Sequence, residues 1–559
     1  MKFMIQRFFL ISLSGLLLTG LSFKEKNPAE EILRKIPVQS GGRVEPFESF
    51  AREALLSVTG KFSFEGEGAT LLVWRWIAHP DQWYTKSFLT VRFEPLRQEL
   101  GLMIIGGKIS PELILTHQPF QEKVKQAFAR QQKKEFISPL DKKRLELDEQ
   151  ASLFQAIAEG SLPGFIPQPE NPQAGWLPLN SLARSEAQES LGRQYPASKL
   201  VQVAEALRAL VQTFRREDKE KLVEDAQQFS DSLAGLLESR QIILDQGKIT
   251  AELTYNQIHP FKWTWIFYLS SAIAWFFLKR IRVLPLGFFI AGFLSHTLGF
   301  ILRVQIAGRP PVSNMYESII WVAWAVVFFS IVLGLIYKKS ILVSSAAWVA
   351  TFALIVGESF PAVLDPSLTP LVPVLRNNYW LTVHVLTITL SYGAFALAWG
   401  LAHVNLFNFA FRFEKKEEQE VLHQYLYRTL QIGVVLLASG TILGGVWANA
   451  SWGRFWGWDP KETWALIALL GYLAILHGRF AGWITSFGTA LGSALAFLGI
   501  LMAWYGVNFV LAAGFHSYGF GGGGVYHVLT GVLLDLIFIS FLVFRYNKKL
   551  HRRSLTGNR

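Results

Sequence analysis

Cysteine is absent from the 559 residues. The chain therefore carries no disulfide, no thiolate metal site and no thiol redox centre. Nor can it anchor a cofactor through a thioether of its own. Charge is scarce as well: Asp, Glu, Lys and Arg make up 17%, against 51% apolar residues and 44 phenylalanines. Apolar runs of about 20 residues, long enough to cross a bilayer, recur through the second half. These facts define an all-α, polytopic helical membrane protein. A net charge of +12 would suit a nucleic-acid binder, but the positions of the basic residues are explained by topology, so no nucleic-acid partner is implied.

Residues 1–23 set Lys2 and Arg7 ahead of FFLISLSGLLLTGL, a cleaved signal peptide or an uncleaved membrane anchor. The weak small-residue cleavage pattern favours the anchor. Residues 24–260 turn soluble, with a Gly-containing turn in IPVQSGGRVEPF and a Pro-rich loop in LPGFIPQPENPQAGWLPL. Leu200, Val203, Leu207, Leu210, Val211 and Phe214 recur at helical spacing. The expectation is a mostly helical extracytoplasmic domain with no repeat and no catalytic constellation. Residues 261–546 form a multi-span domain, and 547–559 a basic tail.

Nine spans are expected, at about 263–280, 283–302, 317–337, 341–360, 380–411, 429–447, 463–478, 485–508 and 525–544. Lys279, Arg280 and Arg282, then Lys338 and Lys339, then Arg412, Lys415, Lys416 and Arg428 fall in alternate loops. Arg479 and the run Arg545, Lys548, Lys549, Arg552 and Arg553 complete that side. Positive residues mark the cytoplasmic face. The soluble segment then lies outside, together with Arg303–Ser318, Pro361–Tyr379, the loop before Trp464 and the glycine-rich Ala513–Gly524.

Five of the 19 tryptophans fall in WANASWGRFWGWDPKETW, between Trp447 and Trp464. Interfacial belts also use Trp, but a belt spreads over many helix ends. Trp452, Trp456, Trp458 and Trp464, with Asp459 among them, crowd one Gly-punctuated loop instead, which reads as a flat binding platform on the outer side. Asp459 and Glu462 suit the first turn of the helix that follows. His384, in YWLTVHVLTITLSYG, and His516, in FHSYGFGGGG, flank this loop on the same side. A planar metal macrocycle needs aromatic surface for its faces and axial nitrogen donors for its metal. Two imidazoles and an indole shelf supply both. His477 ends ETWALIALLGYLAILH near the inner side, beside Arg479. His296 is intramembrane without a partner to name, His403 and His423 read as solvent-contacting, and His527 begins the last span near the outer face.

WGRFWGWDPKETW resembles the WWD signature of the haem-handling proteins of cytochrome c maturation. GRPPVSNMYES, YWLTVHV and GFHSYGF are similar to the CcsA/ResC type, the System II component, with all of these motifs in order from about residue 261 onward. The segment beginning IPVQSGGRVEPFESFAREALLSVTGK resembles the stretch before CcsA in fused CcsB–CcsA synthases. The resemblance implies that His384 and His516 are external axial ligands of haem iron and that His477 is an intramembrane, transient ligand. It further implies that Trp452, Trp456, Trp458, Asp459 and Trp464 form the external haem-binding surface. Fused members take a second intramembrane histidine from their CcsB part. The N-terminal span here has none, which implies a separate CcsB/ResB-type partner or a different route.

The implied function is delivery of haem b, bound as substrate, across or to the outer face of the cytoplasmic membrane. There it would meet an apocytochrome c CxxCH motif for thioether attachment, as a component of a haem-lyase-type synthase. The thiols would be reduced by a separate pathway. Two other classes remain open. A b-type electron-transfer protein would place paired histidines within the bilayer, and a transporter of another planar substrate would lack a haem Soret band.

Overall fold

The computed structural model describes residues 27–555, except 102–103, 134, 172–173, 278–281, 338–339, 361–363, 369–370, 372–376, 413–415 and 512–523. The proposed anchor at 1–23 and His516 with most of its loop lie outside the described residues. The described residues are 78% helical, and the chain divides into two compact units, one ending at Gln257 and the next beginning at Ile258.

The first unit is helical around a small antiparallel sheet in the spatial order Arg43–Pro46, Pro37–Ser40, Gly164–Ile166, Leu177–Pro178. The first two strands form a hairpin across Gly41 and Gly42, both with positive φ, the backbone that a two-residue hairpin turn demands. The core is aromatic. Trp74 stacks on Phe214 at 6.2 Å and meets Phe229 edge-on at 5.6 Å, while Trp76 meets Phe154 edge-on at 5.4 Å. In helix Ala197–Arg216, Val203, Leu210 and Phe214 are buried, with Leu200, Leu207 and Val211 packed against the same core. This is the face that the sequence spacing predicts. Each such side chain contributes about 2 kcal/mol when taken from water.

Among the described residues the second unit has nine long helices: α1 Pro260–Phe277, α2 Val283–Ala307, α3 Met315–Tyr337, α4 Ser340–Ser359, α5 Leu386–Phe411, α6 Lys416–Trp452, α7 Pro460–Phe480, α8 Ser486–Leu501 and α9 Val525–Leu555. Eight stretches among the described residues are long and apolar enough to span a membrane, from α2 to α9. The first of the nine expected spans, α1, is not among them. Lys262, three tryptophans and a Ser pair dilute its apolar run. α6 is much longer than the expected 429–447.

α5 is the hub, packed against α3, α4, α6, α8 and α9. Small residues make the approach possible. A Cβ on Gly393 would fall 2.4 Å from Ala325 Cβ, and one on Gly440 2.8 Å from the Ile388 backbone. Small residues at the interface let helices in lipid pack by van der Waals contact, because the hydrophobic effect does not pull them together there. Two π-helical stretches interrupt the bundle, Leu381–Val385 before α5 and Met502–Leu511 after α8. Such wide turns are rare and frequently mark functional positions.

Candidate functional site

His384 sits on the first π-turn, half-buried between α5 and α6. Its Nδ1–H donates to the Gly440 carbonyl at 2.8 Å, which fixes the ring and puts the lone pair on Nε2. A second contact of this kind on the far nitrogen is how ligating histidines are usually oriented. The ring lies edge-on to Trp447 at 5.6 Å, and a Cβ on Gly444 would come within 2.6 Å of its Cε1. Trp447 in turn packs with Leu381 and Val312, backed by Trp321 and Trp380. The surroundings of the ring on this side are apolar and aromatic.

The tryptophan loop follows on α6. Phe455 fills the space over Gly445, one residue from the glycine that faces His384, so the loop and the imidazole share one end of α6. Arg454 lies 5.9 Å from the Trp452 ring. Trp456 and Trp458 stand 5.9 Å apart at 90°. This corrects the expectation of a flat platform: the rings make a corner, the edge-to-face geometry that the indole quadrupole favours. Trp458 is 70% exposed and holds a positive φ of 56°, a conformation unusual for a bulky residue. Trp464 is half-buried on α7.

Asp459 is buried and caps α7, accepting the Lys461 amide at 2.9 Å. Glu462 accepts from the amides of Gly457 and Asp459, at 2.8 and 3.2 Å, completing a capping box. The capping role read from sequence holds, with the helix beginning at Pro460. Lys461 donates to Asn508 Oδ1 at 3.3 Å, which ties the loop to the second π-helical stretch. Asn508 and Trp504 reach α3 through Met315 Sδ, at 3.4 Å, and Ser318 Oγ, at 2.7 Å.

The loop between α2 and α3 carries a network that sequence reasoning missed. Glu317 is fully buried, paired with Arg303 at 2.9 Å and Arg309 at 3.2 Å, and it accepts from the Ser313 amide and hydroxyl. Arg303 also donates to the Pro366 carbonyl at 3.0 Å. The signal was available: charges beside apolar spans are costly unless paired. The network fixes the loop from which Val312 reaches the Trp447 cluster.

His477 lies near the other end of α7, exposed, with Nδ1 bonded to the Leu473 carbonyl at 2.8 Å. The 17 residues from Pro460 correspond to about 26 Å of helix. The structure therefore does not bring His477 to the tryptophan loop. Two other readings are corrected. His423, expected at solvent, is buried and accepts from Arg479 Nε at 2.9 Å, because α6 extends past its expected start and packs on α7. His403 is also largely shielded, its Nε2 2.8 Å from Asp535 Oδ1 on α9. His296 is fully buried with the Tyr268 hydroxyl 3.4 Å from Nδ1, so the partner that the sequence did not reveal is on the neighbouring helix. His527 is exposed at the start of α9. Among the described residues no cluster of three or more His, Asp or Glu suits a bare metal ion.

The fold and the site together define a class: a multi-span helical membrane protein with an oriented imidazole beside an aromatic loop at a helix junction. Residues 312–515 match the sequence profile of the Cytochrome C assembly protein family. The chain is 33% identical over 261 residues to cytochrome c biogenesis protein CcsA of Chlorella vulgaris, across 40% of this chain and 82% of that protein. It is 36% identical over 258 residues to CcsA of Prochlorococcus marinus (strain MIT 9301), across 40% and 80% respectively. It is also 32% identical over 513 residues to Protein NrfI of Wolinella succinogenes, covering 85% of this chain and 53% of NrfI. The chain thus spans about half the length of that relative. It belongs to the CcsA-type family of cytochrome c biogenesis proteins.

Proposed function

We propose that this chain receives haem b as its substrate, holds it at the outer face of the cytoplasmic membrane and presents it to apocytochrome c. In this reading His384 and His516 ligate the iron from opposite faces, and Trp452, Trp456, Trp458 and Trp464 border the macrocycle. His477 is a transient ligand on the inner side. The orientation follows the basic residues, Arg479 and the Arg545–Arg552 stretch marking the inner face. The single observation that carries the reading is the His384 ring, fixed through Gly440 with its lone pair on Nε2 and aromatic walls around it.

The attachment chemistry balances without an oxidant. Each substrate thiol adds across a haem vinyl group: sulfur bonds to one vinyl carbon and the thiol hydrogen ends on the other. Holding haem and thiols together accelerates that addition by proximity. With no cysteine of its own, this chain relies on a separate thiol-reducing pathway. A CcsB/ResB-type membrane partner supplies the remaining inner ligand.

The test is the absorption spectrum of purified protein beside His384→Ala and His516→Ala. Each substitution is expected to weaken haem retention and abolish maturation, with added imidazole partly restoring both by entering the empty axial position. Unchanged haem occupancy and maturation in both variants would overturn the two-ligand reading.

A further inference from the structure

We infer that His403 and Asp535 form a proton-binding site inside the membrane-spanning bundle, and that the bound proton holds α9 on α5. Both ring nitrogens are committed. Nδ1 lies 2.9 Å from the Trp399 carbonyl, an oxygen that can only accept, so Nδ1 carries a hydrogen. Nε2 lies 2.8 Å from Asp535 Oδ1, a charge contact with no aligned hydrogen bond at Nε2. A neutral imidazole has one N–H and one lone pair. Here that lone pair would lie against a carboxylate oxygen, and the contact would repel. One further proton, on the ring or on the carboxyl, turns it into an attraction. The other carboxylate oxygen, Oδ2, accepts from the Trp399 indole at 3.4 Å.

Depth makes the same demand. The first basic residue after His403 is Arg412, nine residues on, and the first after Asp535 is Arg545, ten on. Each interval is about 14 Å of helix, roughly half of the ~30 Å hydrocarbon thickness. Without the further proton the pair would carry a full negative charge there, where charge is most costly. With it the pair is neutral overall. Among the described residues no neighbouring element brings a balancing cation to the pair. α8, whose Phe497 ring is 5.8 Å from Trp399, has no ionisable residue. α6 brings His423, held by Arg479, and Tyr425, which meets Tyr337 of α3 at 5.0 Å. Glu317 of α3 is paired with Arg303, and Glu358 of α4 accepts from Trp265. Arg545 lies over the Phe411 ring at 4.9 Å.

The proton matters to the packing because α9 is the least buried of the eight spans and rests chiefly on α5. Asp535 supplies polar contacts of that interface, to His403 and Trp399, and the His403 ring stacks on Phe538 at 6.0 Å.

Neither statement depends on the ligand, and neither test uses one. Purified full-length protein labelled with 15N-histidine is compared at pH 7 with His403→Gln, which assigns the ring, and with Asp535→Asn. The His403 ring is expected to bear hydrogens on both nitrogens in wild type and on Nδ1 alone in Asp535→Asn, whose amide donates to Nε2. A proton lodged on the carboxyl instead gives an infrared carboxylic C=O band that Asp535→Asn removes, and supports the site equally. A wild-type ring with a single N–H, together with no such band, overturns it. Thermal melting tests the hold on α9. Asp535→Asn should melt near wild type, and His403→Leu, which strands a carboxylate, several degrees lower. The double variant His403→Leu/Asp535→Leu should regain most of that loss. A His403→Leu protein that does not fold beside a double variant that does gives the same answer. Wild-type melting by His403→Leu alone overturns the proton as the tie between α5 and α9.

Discussion

His384 and Gly440 are joined across the α5–α6 interface by a 2.8 Å hydrogen bond from the ring Nδ1 to the backbone carbonyl. The bond exists because the π-turn widens the chain at Leu381–Val385 while glycines on α6 remove the side chains that would block the ring. The same face of α6 therefore does two jobs: it lets the helices approach and it sets the imidazole.

Gly444→Ala should act on the histidine without touching it in sequence. The added methyl falls 2.6 Å from His384 Cε1, so the ring must swing or the helix must shift. Overpacking of this kind costs about 1–3 kcal/mol. The expected result is haem retention lowered toward that of His384→Ala, with a changed Soret position and a modest loss of thermal stability. A variant that retains haem with the wild-type spectrum would mean that this ring orientation is not the one used.

Acid should loosen the first unit at a definable place. Glu99 and Asp141 converge on Arg144, and Arg130 also reaches Asp141. Burial raises both carboxyls, but hydrogen bonds and charge from Arg144, with Lys123 on Glu99 and Ser138 on Asp141, outweigh it and hold both below the usual carboxylate range. Depressed acids contribute stability that is present above their unfolded pKa values, about 4, and is lost as pH falls through the folded ones. Hydrogen exchange in helix Pro139–Ala158 should therefore accelerate, beyond the intrinsic effect of pH, between pH 5 and about 3. Arg144→Met should abolish most of that acid dependence. An equal dependence in the variant would rule the cluster out as its source.

Much of this architecture could be read in the chain, and the failures share a cause. Eight of the nine spans expected from apolar run length are helices long and apolar enough to cross a membrane, because the bilayer imposes its thickness on the sequence directly. The spacing of Val203, Leu210 and Phe214 gives a helix face for the same local reason. What a helix packs against is not local. His423 and His403 looked solvent-contacting because they lie near helix ends, yet Arg479 on α7 and Asp535 on α9 meet them. Clustered tryptophans are visible in the sequence, but not that Trp456 and Trp458 stand perpendicular. The lone Asp535 in an apolar run was itself a visible hint of a partner.

Sidedness is testable without haem. A reporter active only outside the cytoplasm should work when fused after residue 260 or inserted in the 451–461 loop, and fail after residue 413 or at residue 559. This is the pattern required by Arg412, Arg428, Arg479 and Arg545 on one side. An active fusion at residue 559 would reverse the assignment of every loop.

His477 is separable from the tryptophan loop by distance. His477 and the tryptophan loop are at opposite ends of α7, about 26 Å apart along the axis, so substitution of one leaves the immediate surroundings of the other intact. Arg479 is not simply available to a ligand beside it, since its guanidinium is held by His423 Nε2 and the Ile484 carbonyl, at 2.9 and 3.3 Å. That makes Arg479→Leu a test of packing at the α6–α7 end, expected to lower the yield of folded protein. His477→Ala removes an exposed side chain whose contact is one within its own helix, and should leave folding within about 0.5 kcal/mol of wild type. If His477 receives haem from the inner side, the variant should carry less haem per folded protein, while the haem that remains shows the wild-type spectrum because His384 still holds it. Normal loading together with normal maturation would remove His477 from the route and leave it an interfacial residue.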